Sequence, residues 1–384
     1  MKNIILFGAT GSIGTQTLDC VRKLGYKITA MAAKKNIGLF EKQIREFLPQ
    51  IVAVHDAEAA AVLREKISDL KIPVLDGEQG VASLVGEAPC DLAVNGIVGI
   101  VGIRPTLECV KKGINIATAN KESLVVAGDI INALAEKSGS KIIPIDGEHS
   151  AIFQCLNGIC PTENDIRAAT GKKLKRLILT ASGGAFWGMT EKEVENMTRK
   201  EALCHPNWSM GEKITVDCAT MMNKGFEIIE AVRIFGVSED RIDVIINRES
   251  IVHSMIEFID NSVMSQMSVT DMRIAIQYAL TYPERFPSPA NVLDLTKVGT
   301  LSFFEPDARG KRAMNLCRQA LRTAGTAPAI LNAANEKAVA DFLAGKTKFG
   351  DIMNYTEGVL NKHSINPSPD IDEILAVSEA IMNA

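Results

Sequence analysis

Short apolar runs alternate with longer amphipathic stretches over the first 145 residues of the chain. This alternation predicts strands and helices in turn, and therefore a parallel sheet covered by helices on both faces, as in a Rossmann-like doubly wound domain. Strands are predicted at 3–7, 27–33, 51–54, 91–94, 114–117 and 141–145, and helices, for example, at 15–24, 37–48, 57–69 and 121–137.

The pattern changes after residue 145. Strands are predicted at 174–180, 242–247, 251–258 and 263–267, followed by a helix at about 270–280. The next stretch is Pro-rich and aperiodic, and the remainder is Ala-rich and strongly helical. We therefore predict an N-terminal Rossmann-like domain at 1–145, an α+β catalytic domain at 146–281, a linker at 282–307 and a C-terminal helical bundle at 308–384.

Composition and charge argue against several classes of protein. The 384 residues are 46% hydrophobic, and their net charge of −4 argues against a nucleic-acid-binding surface. Eight cysteines form no CxxC pair, and most are expected to be small buried hydrophobes in a reducing compartment. The chain opens directly on a strand, and no apolar run reaches membrane-spanning length. We expect a cytoplasmic protein with neither a nucleic acid nor a membrane as partner.

The glycine-rich segment Gly8–Gly14 follows the first predicted strand and opens a helix. Its G-x-x-G-x-x-G spacing lets the backbone approach a pyrophosphate, and the helix N-terminus supplies N–H donors; a tight turn without a ligand is the alternative. After the second strand an NAD-binding protein usually carries an acidic residue, but this chain has Lys34, Lys35 and Asn36. Lysines attract a 2′-phosphate, so NADP(H) is favoured, with solvated loop lysines as the competing interpretation.

Polar residues follow two further strands of this domain. Asn95–Gly99 and Asn120-Lys121-Glu122 both fall at the carboxyl edge of the predicted parallel sheet, where ligands bind in open α/β folds. The triplet would place an amide, a cation and an acid at the mouth of the cofactor cleft. The alternative is that Asn120 or Ser123 only caps the following helix.

Two carboxylates, Asp146 and Glu148, leave a strand end two residues apart, ahead of a helix predicted to start at Ala151. In extended geometry they point to the same side, where they repel each other unless a cation or a proton lies between them. A hard divalent cation such as Mg²⁺ or Mn²⁺ prefers such oxygen ligands. The competing interpretation is a helix N-terminus with acidic residues that suit its dipole.

Two later segments supply further candidates. Ser182-Gly183-Gly184 follows a strand and offers a hydroxyl and backbone N–H groups to an anion. The stretch 187–215 contains both tryptophans and has poor periodicity, which predicts a loop that closes over a site, not core. If 216–231 is helical, Asn223, Lys224 and Glu227 share one face of a largely buried helix. Such a face needs a polar ligand, which makes Glu227 a third candidate carboxylate.

Taken together, these residues resemble the 1-deoxy-D-xylulose 5-phosphate reductoisomerase family of the non-mevalonate isoprenoid pathway, along essentially the whole chain. Six motifs occur in the family's order and roughly its spacing, which makes the resemblance highly specific. The motifs are G-A-T-G-S-I-G, A-N-K-E, D-x-E-H-S-A-I-F-Q, S-G-G-x-F, H-P-N-W-x-M-G and M-M-N-K-G-x-E.

The resemblance implies NADPH and one divalent cation, Mg²⁺ or Mn²⁺, as cofactors, a small phosphorylated sugar as substrate, and a homodimer. The residues implied to contact NADPH are Thr10, Gly11, Ser12 and Ile13 at the diphosphate, Lys34, Lys35 and Asn36 near the 2′-phosphate, and Asn120, Glu122 and Gly211. The implied metal ligands are Asp146, Glu148 and Glu227, which are also the implied catalytic residues together with Lys121. The residues implied to contact the substrate are Lys121, Gly147, Glu148, Ser182, His205, Trp208, Met210, Cys218, Asn223, Lys224 and Glu227, of which Ser182, His205, Asn223 and Lys224 would hold its phosphate. Trp208 and Met210 would lie on a closing flap at about 186–212.

Four positions depart from the family's pattern. Lys34 stands where glycine is frequent, and Ala185 replaces a proline, which is expected to loosen the loop after Gly184. Gly147 stands where serine is usual, so only its backbone can serve there. Cys218 replaces a serine that donates to the phosphate, and a thiol is the weaker donor. A modestly poorer KM is expected, without loss of activity.

The reaction implied by the resemblance converts 1-deoxy-D-xylulose 5-phosphate to 2-C-methyl-D-erythritol 4-phosphate. The metal would polarise the substrate carbonyl for carbon–carbon bond cleavage and re-formation, and NADPH would reduce the resulting aldehyde. Retro-aldol and aldol steps are the simplest route, and a concerted shift stays open. The alternatives are a plain NADP-dependent dehydrogenase, which leaves three carboxylates unexplained, and a catalytically silent NADPH-binding regulator.

Overall fold

The computed structural model describes residues 1–157 and 173–384, and these residues form two compact units. The first unit comprises Met1–Ser123, Asp129–Ser150 and Asp271–Asn291. The second comprises Leu124–Gly128, the described part of Ala151–Thr270, and Val292–Ala384. Among the described residues, no helix is long and apolar enough to cross a membrane.

Strands and helices alternate through the first unit, and helices predominate near the C-terminus. The strands are β1 (Asn3–Phe7), β2 (Lys27–Ala33), β3 (Ile51–Val54), β4 (Val74–Asp76), β5 (Leu92–Asn95), β6 (Ile116–Thr118), β7 (Ile142–Pro144), β8 (Leu174–Ala181), β9 (Ile242–Ile246), β10 (Val252–Phe258) and β11 (Val263–Met267). The described α-helices are α1 (Ser12–Leu24), α2 (Ile37–Phe47), α3 (Ala57–Lys66), α4 (Gly77–Glu87), α5 (Ile103–Lys111), α6 (Lys121–Ser138), α7 (Gly147–Asn157), α8 (Glu191–Val194), α9 (Arg199–Ala202), α10 (Glu212–Thr220), α11 (Met222–Phe235), α12 (Arg273–Thr281), α13 (Leu295–Val298), α14 (Ala308–Thr323), α15 (Ala327–Leu343), α16 (Asp351–Lys362) and α17 (Ile371–Asn383).

The first unit is built on a seven-stranded parallel sheet in the order β4-β3-β2-β1-β5-β6-β7. Every residue of β3, β5 and β6 is buried, because helices cover both faces of a parallel sheet. The predicted doubly wound fold is confirmed. The order reverses between β1 and β5, and the loops that follow these two strands meet at the edge where ligands bind in such folds. Strand β4 was not predicted, because it follows Pro73 and contains only two apolar residues, Val74 and Leu75, before Asp76.

Helix α12 belongs to the first unit, whereas its sequence position led us to predict it in the catalytic domain. It packs against α1 and near β6 and β7, and Lys2 Nζ donates to the carbonyl oxygen of Leu280 at 2.9 Å. Its residues from Ala275 to Thr281 are all buried. The chain therefore returns to the first unit over Asp271–Asn291, a long-range contact that local periodicity cannot predict.

The second unit combines a mixed four-stranded sheet, in the order β11-β10-β8-β9, with the C-terminal helices. Strand β8 runs parallel to β9 and antiparallel to β10. Helix α14 packs on α11, and α15 packs on α16 and α17. The stretch predicted as a linker contains the short helix α13, and its Phe304 forms an antiparallel bridge with Ile246.

Part of the predicted flap is core. Phe186, Val194 and Ala202 are buried in a hydrophobic cluster with residues of α10, α15 and α16, so the expectation that 187–215 is not core is wrong for its first half. The short helices α8 and α9 carry Val194 and Ala202, and capping boxes at Thr190 and Thr198 define where these helices begin. Residues 203–211 have no regular secondary structure, so this shorter segment retains the features of a flap.

Candidate active site

The loop after β1 has the close-packed geometry that its glycines predict. Gly8 has a φ of +84°, and a Cβ there would lie 2.8 Å from the carbonyl oxygen of Gly96 in the loop after β5. A Cβ on Gly14 would lie 2.2 Å from the carbonyl oxygen of Gly8. Helix α1 begins directly behind the loop, and its N-cap residue, Gly11, has no side chain that could occupy the first N–H groups. The segment from Thr10 to Ile13 is therefore suited to an anion at the helix N-terminus.

The end of β2 carries exposed positive charge. Lys34, Lys35 and Asn36 are all exposed there. The Asn36 side chain accepts a hydrogen bond from the N–H of Leu39 at 3.3 Å and so caps α2. The two lysines suit a 2′-phosphate, whereas Asn36 also has a structural role.

Asn120 connects two loops at the carboxyl edge of the sheet. Its side chain is fully buried, and its Nδ2 donates to the carbonyl oxygens of Ile97 at 2.8 Å and Gly99 at 2.9 Å, and to Glu122 at 3.3 Å. Its Oδ1 accepts from the N–H of Ser123 at 3.1 Å and caps α6. The capping role considered for Asn120 is present, whereas Ser123 does not cap the helix, and Asn120 also donates to the buried carboxylate of Glu122.

Lys121 and Asp146 form a buried ion pair in the first unit. The distance from Lys121 Nζ to Asp146 Oδ2 is 2.7 Å, and both side chains are about nine-tenths buried, with exposures of 10% and 11%. Burial by itself would raise the pKa of Asp146, but the positive charge of Lys121 and the neighbouring His149 outweigh it and hold this pKa well below its usual value. Asp146 is therefore ionised at neutral pH.

The extended geometry predicted for the two acidic residues is wrong. Strand β7 ends at Pro144 and α7 begins at Gly147, four residues earlier than predicted, with the N–H of Ser150 donating to the carbonyl oxygen of Asp146 at 2.8 Å. Glu148 therefore lies in the first turn of a helix, where its charge also suits the helix dipole. A Cβ added at Gly147 meets no atom within 4 Å, so the space for a serine side chain is present.

The predicted polar face of α11 is confirmed in the second unit. Asn223 and Lys224 both contact the carboxylate of Glu227, through an amide hydrogen bond and an ion pair. The side chains of Lys224 and Glu227 are only 4% and 1% exposed. Charged groups at this depth must be paired, so the face is a preformed unit of amide, ammonium and carboxylate.

Ser182 and His205 also meet in the second unit. The distance from Ser182 Oγ to His205 Nε2 is 2.8 Å, and Ser182 Oγ also accepts from the N–H of Gly184 at 3.1 Å. His205 Nδ1 accepts from the backbone N–H groups of Asn207 at 3.2 Å and Trp208 at 3.0 Å. Nδ1 must therefore be unprotonated, which places the proton of the neutral ring on Nε2 and makes Nε2 the donor to Ser182.

The charge and direction of this pair follow from its surroundings. Burial, and secondarily the positive charge of Arg248, lower the pKa of His205 to about 4, so the ring is neutral at pH 7. Since Ser182 Oγ accepts two hydrogen bonds, its hydroxyl proton is left to donate, and no acceptor for it lies among the described residues. The neutral histidine thus holds a serine hydroxyl whose proton can be donated to a ligand.

The other predicted residues of the second unit lie on or near the 203–211 segment. Trp208 and Met210 are half-buried, and the Trp208 ring lies 6.1 Å from the ring of His253. Gly211 is exposed and is the N-cap of α10, and Cys218 is half-buried in the same helix. Sequence reasoning missed Asn207, whose amide donates to the backbone of Arg248 and to Ser250 at 2.8 Å and so anchors the segment. Its position next to His205 in the H-P-N-W motif was the available signal.

The cysteines carry no further site within the described ranges. Seven of the eight lie there, all as free thiols, and Cys20, Cys109, Cys155 and Cys317 are buried as expected. Cys204 is exposed, and Cys160 falls outside the described residues.

The parallel sheet, its glycine-rich loop and the exposed lysines after β2 are typical of an NADP-dependent oxidoreductase, and comparison with known proteins specifies the family. Three family models match the chain. The model described as 1-deoxy-D-xylulose 5-phosphate reductoisomerase matches residues 4–128, the model of that enzyme's C-terminal domain matches residues 142–235, and a second model, described as DXP reductoisomerase C-terminal domain, matches residues 267–383. The 1-deoxy-D-xylulose 5-phosphate reductoisomerase of Acetivibrio thermocellus is 48% identical over 377 residues, covering 98% of this chain and 96% of that protein. Its counterpart from Desulfitobacterium hafniense is 45% identical with the same coverage.

Solved structures agree with the sequence relatives. A crystal structure of DOX-P reductoisomerase in complex with NADPH, fosmidomycin and magnesium is 37% identical, with a TM-score of 0.94 over 100% of this chain and 97% of that one. The Zymomonas mobilis enzyme in complex with NADPH is 32% identical, with a TM-score of 0.91 over the same shares. The chain belongs to the 1-deoxy-D-xylulose 5-phosphate reductoisomerase family.

Proposed function

We propose that the protein catalyses the NADPH- and divalent-metal-dependent isomerisation and reduction of 1-deoxy-D-xylulose 5-phosphate to 2-C-methyl-D-erythritol 4-phosphate. The observation that carries this proposal is the family match over 4–128 and 142–235, two segments that include every proposed site residue. The alternative of a silent NADPH-binding regulator would require the loss of a metal ligand or of Lys121, and all of them are present.

The residues fit the cofactors that this function needs. Asp146, Glu148 and Glu227 offer the hard oxygen ligands that Mg²⁺ and Mn²⁺ prefer, and Asp146 is ionised in the first unit. The loop from Thr10 to Ile13 suits the diphosphate of NADPH, and Lys34 and Lys35 its 2′-phosphate. Asn36, Asn120, Glu122 and Gly211 complete the proposed NADPH site. When bound, the cation polarises the substrate carbonyl and NADPH supplies the hydride.

The chain's own residues bind and orient the phosphate end of the substrate. Ser182 donates its hydroxyl proton to a phosphate oxygen while neutral His205 holds the hydroxyl in place. Asn223 and Lys224 present an amide and an ammonium on the buried face of α11. Cys218, Trp208 and Met210 complete this part of the site, the last two on the 203–211 segment. These contacts are remote from the reacting carbons, so their binding energy serves orientation and exclusion of water.

At the reacting end, Lys121 is the proposed cationic partner of the substrate oxygens. Its ammonium is already buried beside Asp146, so the ordering of a long side chain is not a cost of substrate binding. Gly147 contributes only backbone groups. These contacts are compatible with retro-aldol and aldol steps and with a concerted shift.

We further propose a cytoplasmic homodimer. The free thiols suit a reducing compartment. Strand β11 lies at the edge of the second sheet and leaves Val263, Met264 and Met267 between 40% and 50% exposed, and an exposed apolar edge strand favours pairing with another chain. Light scattering of the purified protein would test the stoichiometry, and a monomer at micromolar concentration would contradict the proposal.

The decisive experiment follows NADPH absorbance with purified protein and 1-deoxy-D-xylulose 5-phosphate, with Mg²⁺ or Mn²⁺ and then with excess EDTA. We expect substrate-dependent oxidation that EDTA abolishes, and its loss in Glu148→Gln but not in the surface control Glu357→Gln, which removes a carboxylate paired with Arg312. Tight NADPH binding without oxidation would favour the regulator. Oxidation insensitive to EDTA would indicate a plain dehydrogenase.

A further inference from the structure

Arg248 lies in the turn after β9, outside the segments that the family models match. Residues 236–266 fall between the matched segments, and Arg248 is not among the site residues that the motifs identify. In the second unit, however, its guanidinium contacts the same loop that carries the phosphate-binding serine.

The guanidinium holds two carbonyl groups of that loop. Arg248 Nη1 donates to the carbonyl oxygen of Ser182 and, at 3.1 Å, to that of Gly184. The guanidinium carbon lies 5.2 Å from the centroid of the Trp187 ring, in a cation–π contact. The backbone of Arg248 also accepts from the side chain of Asn207. One residue therefore connects the Ser182 loop with the segment that carries His205.

The peptide geometry shows what these two hydrogen bonds achieve. In a trans peptide the carbonyl of one residue and the N–H of the next point in opposite directions. With the carbonyls of Ser182 and Gly184 fixed on Arg248, the N–H groups of Gly183 and Ala185 point away from it. Neither N–H has an acceptor among the described residues, and Gly183 and Gly184 have φ values of +81° and +68°. Backbone N–H groups presented by such a turn can line an anion-binding concavity, here those of Gly183 and Ala185, while the intervening N–H of Gly184 donates to Ser182 Oγ.

Arg248 also supplies charge that the other residues do not. Among residues 1–157 and 173–384, no carboxylate forms an ion pair with it, and the adjacent Glu249 is bound to Asn247 and Ser302. Lys224, by contrast, is paired with Glu227, and His205 is neutral. A phosphate dianion gains most from a positive charge that is not already neutralised.

We propose that Arg248 is a positioning residue of the phosphate subsite, which holds the Ser182–Ala185 turn in its anion-binding form and supplies unpaired positive charge to it. This proposal rests on the proposed function only for the identity of the phosphorylated substrate. The ligand chemistry itself, an oxyanion, follows from the turn, the serine hydroxyl and the guanidinium.

The test compares Arg248→Met, Arg248→Lys and the control Arg176→Met. Arg176 lies near the start of β8, whereas Ser182 follows the end of that strand. The control therefore removes one positive charge from the same strand, away from the Ser182 turn. We expect Arg248→Met to raise the KM for the phosphorylated substrate and the Ki for inorganic phosphate about 10-fold or more, since charge-assisted hydrogen bonds are about twice as strong as neutral ones. The KM for NADPH should not change, and Arg248→Lys should recover part of the effect.

The outcomes separate this inference from the proposed function. An unchanged substrate KM in Arg248→Met, equal losses in the Lys and Met variants, or a parallel rise in the KM for NADPH would each overturn it. If the wild-type protein does not oxidise NADPH, the proposed function fails, and calorimetric titration with inorganic phosphate decides the role of Arg248 alone. Binding by the wild type that is lost in Arg248→Met supports it, and equal binding refutes it. If Arg248→Met does not fold, the same titration with Arg248→Lys must show weakened binding.

Discussion

Gly14→Ala tests the close packing of α1 against the loop after β1. The added Cβ would lie 2.2 Å from the oxygen of Gly8 and 2.6 Å from the backbone of Ala9. To bring the new Cβ to an ordinary distance of about 3.4 Å from the Gly8 oxygen, the start of α1 must move by roughly 1 Å. Overpacking of this kind costs about 1–3 kcal/mol. The same shift withdraws the helix N–H groups from the proposed diphosphate position, so we expect NADPH affinity to fall about tenfold or more.

The assay is fluorescence titration with NADPH combined with thermal unfolding, and the chain offers a matched control. Gly358 lies within α16, and a Cβ there meets no atom within 4 Å. Gly358→Ala should leave NADPH affinity unchanged and stabilise the protein by about 0.5–1 kcal/mol, because glycine is a poor helix former. If Gly14→Ala binds NADPH as the wild type does and melts no lower, the close approach of α1 to the loop is not required, and the reasoning is refuted.

Three further predictions concern Ser182, two departures from the family's pattern at Cys218 and Gly147, and His205. Ser182→Ala leaves the donors on His205 and Gly184 without their acceptor. We expect the substrate KM to rise about tenfold and the KM for NADPH to stay unchanged. Steady-state kinetics in which only kcat fell would contradict this prediction. Cys218→Ser and Gly147→Ser should each lower the substrate KM a few-fold. A hydroxyl is a better hydrogen-bond donor than a thiol, and a side chain at position 147 meets no neighbouring atom at its Cβ. An unchanged substrate KM in both variants would show that these departures from the family's pattern are neutral. The pKa of His205 is about 4 in the folded chain against an ordinary 6.5, so between these values the unfolded chain binds more protons and stability should fall as pH falls from 6.5 to 4. Denaturant titrations at several pH values should show that the free energy of unfolding falls less steeply with pH in His205→Asn than in the wild type. An identical fall in both proteins would exclude His205 as a source of the pH dependence of stability.

Much of the fold could be predicted because its signals are local. Buried strands such as Ile51–Val54 are apolar throughout, and the helices between them show their own periodicity. The polar face of α11 follows from residue spacing alone, since residues three and four apart in a helix are neighbours. The glycine spacing of the first loop likewise reflects a local steric demand, which the contact between Gly14 and Gly8 confirms.

Other features depend on contacts between residues far apart in the chain. Helix α12, for example, packs on α1 more than 250 residues earlier. Phe186, Val194 and Ala202 looked like loop residues because the residues that bury them lie in α15 and α16.

The sequence by itself determined the fold class, the family and the identity of the chemical groups, because each of these is written in short motifs and local periodicity. Only the tertiary structure decided how these groups act within each unit. The tautomer of His205 is set by two backbone N–H groups, the direction of the Ser182 hydroxyl by His205 and Gly184, and the shape of the turn by Arg248. The physical reason is that hydrogen-bond direction and charge state depend on neighbours in space, which residue type and spacing do not specify.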